Sequence, residues 1–220
     1  MKKHTLEVDS ILKTYNNTKI VSDIYLKLET NQIIGILGRN GSGKSTLFKI
    51  IFGLIPADNK FIRIDGVLKT TTSDLLNEVS YLSQENFIPK HFSVNKSILL
   101  SVEKENLECF CNDESIKKIA DKRINELSNG ELRYLEIKII LNNSSKFVLL
   151  DEPFNGLSPL QIDKIITLLR ENSSNKGIII TDHNYENVIE ISTKIMLMKS
   201  GKLIAVKDKN QLLELGYFPN

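Results

Sequence analysis

Residues Gly38-Arg39-Asn40-Gly41-Ser42-Gly43-Lys44-Ser45-Thr46 constrain the fold more than any other stretch, because they fit the pattern G-x-x-x-x-G-K-[ST] between strand-like and helix-like segments. Upstream, Gln32 to Leu37 is a compact Ile/Leu run that delivers the chain to Gly38. Downstream, Leu47, Ile50 and Ile51 recur at helical spacing from Lys44 to Phe52, and Gly53 and Pro56 stop the helix. Glycines let the backbone wind so that successive N–H groups point at one anion, and the helix start adds its positive dipole end. The unit reads as a phosphate-binding loop, with Lys44 directed at the β/γ-phosphates and the Ser45 hydroxyl at Mg²⁺. The plainer reading is a glycine-rich turn joining a strand to a helix.

A second strand, Phe147 to Leu150, ends in Asp151-Glu152-Pro153. Beside a phosphate loop, a carboxylate in this place organises Mg²⁺, which assigns Asp151 to the metal. Side chains alternate along a strand, so Glu152 points elsewhere and is free to polarise an attacking water. The alternative is a pair of solvated carboxylates opening a turn before Pro153.

Further β-rich runs, Leu6 to Leu12, Ile20 to Leu28, Gly177 to Thr181 and Ile195 to Met198, accompany helical patterns at Leu160 to Leu169 and Asn184 to Ile191. The alternation predicts an α/β body with a mostly parallel sheet covered by helices. Between Glu85 and Leu127 the chain turns polar and Lys/Glu-rich, with helix-like pieces at Val94 to Val102 and Glu114 to Ile124. It reads as a small helical subdomain inserted into the body. The expected organisation is one domain over 1–220, with 1–84 and 128–220 as the α/β core and 85–127 as the insertion.

Composition narrows the function. With 29 Lys+Arg against 27 Asp+Glu the net charge is +2, which argues against a dedicated nucleic-acid binder. No apolar run approaches the roughly 18 to 20 residues of a membrane span, and Glu7 and Asp9 interrupt the basic N-terminus before any secretory apolar region. The expected location is the cytoplasm. The two cysteines, Cys109 and Cys111, lack a second ligand pair and read as free thiols. An Asn-Lys-x-Asp guanine reader is missing, because Asn95-Lys96 runs into Ser97-Ile98.

The motifs taken together resemble an ATP-binding cassette (ABC) ATPase domain over nearly the whole chain. Leu127-Ser128-Asn129-Gly130-Glu131 is similar to the family signature, Gln84 to the Q-loop, Asn155-Gly156-Leu157-Ser158 to the D-loop and His183 to the switch histidine. The resemblance implies a P-loop NTPase fold of ABC type, with an N-terminal antiparallel β region beside the parallel core and the small helical subdomain. It implies that Tyr15 stacks on adenine and that residues Gly38 to Thr46 hold the ATP phosphates. It implies that Gln84 joins Ser45 and Asp151 around Mg²⁺ or the lytic water, and that His183 contacts the γ-phosphate and holds Glu152 in line. On the same basis Ser128 and Gly130 bind the γ-phosphate held by a second subunit. Read bare, Ser128-x-x-Glu131 is also a helix capping box, and both readings can hold.

Three departures accompany the resemblance. Asn129 replaces a signature glycine, tolerable if the position needs φ > 0. Ser158 stands where the D-loop usually has Asp, and the interval from Gln84 to Ser128 is short. The expectation is an ATP-hydrolysing transporter subunit, using ATP and Mg²⁺, pairing with itself or a second ABC ATPase, and bound peripherally to a separate integral membrane subunit on the cytoplasmic face. Segments around Ser128 to Glu136, Asp151 to Pro159 and Thr181 to Asn184 look most like lipopolysaccharide-transport and branched-chain amino-acid-type subunits. The alternative is a soluble ABC ATPase acting on a non-membrane partner in DNA repair, translation or cofactor assembly.

Overall fold

In the computed structural model, which describes residues 3–217, the first β-rich runs become long antiparallel strands, β1 (Thr5–Tyr15) and β2 (Thr18–Glu29). Leu6 and Val8 on β1 and Ile24, Leu26 and Leu28 on β2 are buried at alternate positions, as in a sheet with one covered face. Asn16 and Asn17 join them with φ of 47° and 62°, the double left-handed geometry of a tight hairpin turn. Next come β3 (Ile33–Leu37), α1 (Lys44–Phe52), β4 (Asn59–Ile64), β5 (Val67–Leu68), α2 (Thr72–Leu76) and β6 (Val79–Leu82). The antiparallel sheet has the order β2-β1-β4-β5.

The polar stretch folds into α3 (Val94–Ser101), a 3-10 turn at Lys104–Asn106, α4 (Leu107–Cys111), α5 (Glu114–Lys117) and a 3-10 turn at Ile124–Glu126. The helix expected over Glu114 to Ile124 therefore ends after one turn. Beyond it residues 118–121 form turns, and the chain around Arg123 then bridges antiparallel to Ser93 at the start of α3: Val94 N–H donates to Lys122 O at 3.0 Å and Ile124 N–H to Phe92 O at 2.9 Å. These non-local bonds outweigh the local helical spacing. Ile88, Val94, Ile98, Phe110, Ile116, Ile119 and Ile124 form a separate apolar cluster here. Cys109 and Cys111 are exposed free thiols.

The remainder is α6 (Asn129–Asn142), β7 (Phe147–Asp151), α7 (Pro159–Ser173), β8 (Gly177–Thr181), α8 (Tyr185–Ile191), β9 (Lys194–Lys199), β10 (Lys202–Val206) and α9 (Lys209–Glu214). The second sheet runs β10-β9-β3-β8-β7-β6, parallel from β9 to β6 with β10 antiparallel at one edge. Strands β3, β7 and β8 are buried at every residue, which is why they read as continuous Ile/Leu/Val runs. Ile34, Ile36, Phe147, Leu149 and Ile179 face α1 and the antiparallel sheet. Ile33, Leu37, Val148, Leu150, Ile178 and Ile180 face α6, α7 and α8. The result is a layered body with the parallel sheet in the middle.

Helix α6 belongs to two cores. Leu132, Leu135 and Ile139 enter the small apolar cluster, while Ile137, Ile140 and Leu141 pack against the parallel sheet.

Candidate active site

Parallel strands deliver their C-terminal ends to one edge, where α/β sheets bind ligands. Register fixes what meets there. Leu82 is opposite Leu150, Leu150 opposite Ile180, and Asp151 opposite Thr181. Gln84, Asp151, Glu152 and His183 thus leave the sheet at nearly one level, beside the loop that follows β3.

That loop is built for an anion. Gly41 and Gly43 have φ of 76° and 105°, and a Cβ on Gly43 would lie 2.8 Å from the Ile20 carbonyl. Gly43 N-caps α1 without a side-chain hydrogen bond, so no capping group competes for the first helical amides. Lys44 Nζ folds back to donate to Gly38 O at 2.7 Å and Arg39 O at 3.2 Å. Burial lowers the Lys44 pKa, opposed by the nearby charges of Glu152 and Asp151. A cavity of about 370 Å³ opens over the loop, lined by residues 40–46 with Ile20, Gln84, Glu152 and His183.

Glu152 is the point of convergence. Its Oε1 accepts from Gln84 Nε2 at 2.9 Å and lies 2.8 Å from His183 Nε2. Gln84 Nε2 also approaches Ser45 Oγ at 3.4 Å. The Glu152 backbone has φ 51°, uncommon for a residue with a Cβ, and its amide donates to Thr181 O at 2.7 Å. Strain held in this way re-aims the side chain off the strand axis into the cavity.

Asp151 faces the other side of Gln84. Its Oδ2 accepts from the Tyr81 hydroxyl at 3.1 Å, while Oδ1 is buried without a partner. Ser45, Gln84 and Asp151 line one cavity of about 290 Å³. A buried carboxylate oxygen left unpaired, in a cavity that a hydroxyl and a side-chain amide also line, fits a small hard cation. Burial and Asp151 together push the Tyr81 phenol well above its usual range, so it stays a donor.

Comparison with known proteins gives the family and the fold. The family described as "ABC transporter" matches residues 21–155. The chain belongs to that family. It is 33% identical to the "Lipopolysaccharide export system ATP-binding protein LptB" of Haemophilus influenzae, over 94% of this chain and 92% of that protein. The protein of that name from Escherichia coli K12 is 31% identical over 96% and 93%. Among solved structures, the ADP conformation of MJ1267, an ATP-binding cassette of an ABC transporter, superimposes with a TM-score of 0.83 at 20% identity, covering 98% of this chain and 96% of that one. A bacterial Atm1-family ABC exporter with ATP bound gives 0.83 at 18%, this chain spanning 41% of it. The cassette is an ATP-hydrolysing enzyme with the P-loop NTPase fold.

The remaining expected residues lie away from the loop. Ser128 N-caps α6 in a reciprocal capping box: Glu131 N–H donates to Ser128 Oγ at 3.3 Å and Ser128 N–H to Glu131 Oε2 at 2.8 Å. Gly130 is buried where a Cβ would overlap the Gln161 side chain. Asn129 is not among the positive-φ residues, so the left-handed geometry that would have favoured glycine does not arise. Ser158 caps α7 with Gln161. Tyr15 ends β1 on the surface, with Lys13 Nζ 4.8 Å over its ring, and lines neither cavity described above.

Sequence reasoning assigned no site role to Arg133. The side chain is 6% exposed and donates to three carbonyls, Ser83 O at 2.9 Å, Asp151 O at 3.0 Å and Glu152 O at 3.2 Å. Nothing in an i, i+3 or i, i+4 pattern marks an arginine whose partners are distant backbone groups.

Proposed function

We propose that the cassette powers a membrane transporter by binding and hydrolysing ATP at a site whose reacting water is held by Glu152. The observation that carries this reading is the meeting of Gln84 and His183 on one oxygen of Glu152, at the mouth of the glycine-loop cavity.

In this reading the amides of residues 38–46 and Lys44 hold the phosphates, and Tyr15 offers the ring face not covered by Lys13 to adenine. Ser45, Gln84 and Asp151 hold Mg²⁺, which when bound neutralises phosphate charge. Glu152 accepts the water proton, with His183 and Gln84 fixing its carboxylate. Most of the rate enhancement comes from positioning and from charge stabilisation by the loop.

Ser128 and Gly130 act on the phosphate bound by a second cassette, which is a copy of this chain or a different ABC ATPase. Two cassettes close head to tail over ATP and part after hydrolysis. Among the described residues no helix is long and apolar enough to cross a membrane. An integral membrane subunit therefore converts the movement, with the cassette peripheral on its cytoplasmic side. Phe87, Leu99 and Leu100, exposed by 47%, 66% and 67%, are apolar side chains of the helical insertion that such a subunit could cover. The similarity to lipopolysaccharide-export ATPases makes an export permease the first partner to test.

The test is an affinity purification of tagged Glu152→Gln protein from detergent-solubilised native membranes with ATP present. The expected result is a polytopic membrane protein in near-equal amount. A soluble partner, with the cassette absent from membranes, overturns the transporter assignment in favour of a soluble ABC ATPase.

A further inference from the structure

Helix α6 carries a buried ion pair that touches neither cavity of the site. Arg133 and Glu136 are one helical turn apart, with Nη1 3.6 Å from Oε2, and Glu136 is fully buried. Glu136 Oε1 accepts from Phe87 N–H at 2.8 Å, while Oε2 has no hydrogen bond. Arg133 spends its guanidinium on the carbonyls of Ser83, Asp151 and Glu152.

Taken together, the pair grips the segment around Gln84 from both sides. Arg133 holds it at Ser83, just before Gln84, and Glu136 holds it at Phe87, three residues after. The same guanidinium holds the end of β7 at the two carboxylate-bearing residues. A planar fork with several fixed donors can span these carbonyls, which a lysine ammonium cannot do. Replacing a buried ion pair by apolar groups is often neutral or stabilising, so stability alone gives little reason for this arrangement.

We infer that Arg133 and Glu136 form a positioning clamp that sets the placement of Gln84 against Glu152, and so sets kcat. Neither residue lines the cavities assigned to ATP and Mg²⁺. Because Ser128 caps α6 and Gly130 lies in its first turn, the clamp also links the helix end assigned above to the second cassette with the hydrolytic residues, about one turn away. A shift of α6 is passed directly to the backbone on both sides of Gln84 and to the end of β7.

The inference rests on the assignment of Glu152 and Gln84 to hydrolysis, and the test separates the two. ATP turnover, ATP affinity and thermal midpoint are measured for wild type, Glu152→Gln, Arg133→Met, Arg133→Lys and Glu136→Gln. Misplacement of a reacting group by about 1 Å costs roughly a hundredfold, so Arg133→Met is expected to lose about tenfold to a hundredfold in kcat. Its KM for ATP should change less than about threefold, since the loop and Lys44 are untouched. Arg133→Lys should recover only a minor part of kcat, and Glu136→Gln, which keeps the acceptor for Phe87, most of it. A folded Arg133→Met with wild-type kcat, alongside an inert Glu152→Gln, overturns the clamp alone. Wild-type turnover by Glu152→Gln overturns the site assignment itself. If Arg133→Met fails to fold, Arg133→Lys decides: wild-type kcat counts against the clamp, and a reduced kcat at an unchanged thermal midpoint supports it.

Discussion

Lys44 and Lys176 are both buried cations, yet their surroundings give them different work. Lys44 lies near Glu152 and Asp151 and folds against its own loop, where an incoming phosphate can draw it outward. Lys44→Ala is expected to abolish ATP binding measurable by calorimetry while leaving a folded protein. Lys176 is held by the carbonyls of Asn143 and Ser145, and burial lowers its pKa to about 8. The unfolded chain keeps that proton to about pH 10.4, so between these values it binds more protons than the native state and stability rises with pH. Relative to Lys176→Met, the wild type should gain on the order of 1–3 kcal/mol between pH 8 and pH 10, read from urea unfolding. A flat difference across that window would remove the buried charge from the account.

At the scale of elements, backbone geometry explains why the glycine loop was legible in the sequence and other parts were not. Gly43 combines φ 105° with the close approach of the Ile20 carbonyl, so its identity is forced locally and shows as a motif. Gly43→Ala should cost at least about 1 kcal/mol and impair nucleotide binding, measured by thermal shift with and without ATP. Strands β3, β7 and β8 were equally plain, because burial on both faces leaves apolar runs that are broken by a polar residue only at the site end, at Asp151 and Thr181. The segment after α5 was misread, since pairing with residues 92–94 is non-local and leaves the helical spacing intact. Short, half-exposed strands such as β4, β5 and β10 carried no comparable run. Gly130 was legible only through the family likeness; its contact with Gln161 joins α6 to the cap of α7. Gly130→Ala should push that amide aside and cost about 0.5–2 kcal/mol through the lost cap, visible as a lower thermal midpoint.

At the scale of the whole molecule, the site on one chain is incomplete under the proposed mechanism, because Ser128 and Gly130 stand apart from the loop cavity they would serve in a partner. ATP-bound Glu152→Gln protein should therefore shift toward twice the monomer mass in light scattering, or pair with a second ABC ATPase, and Ser128→Arg should prevent it. The central claim concerns Glu152 itself. Its most direct test is single-turnover hydrolysis of ATP with Mg²⁺ by wild type and Glu152→Gln, with ATP affinity measured in parallel. The expected result is a fall in rate of about a hundredfold or more with affinity retained; hydrolysis at the wild-type rate would contradict the assignment of Glu152 as the group that takes the water's proton.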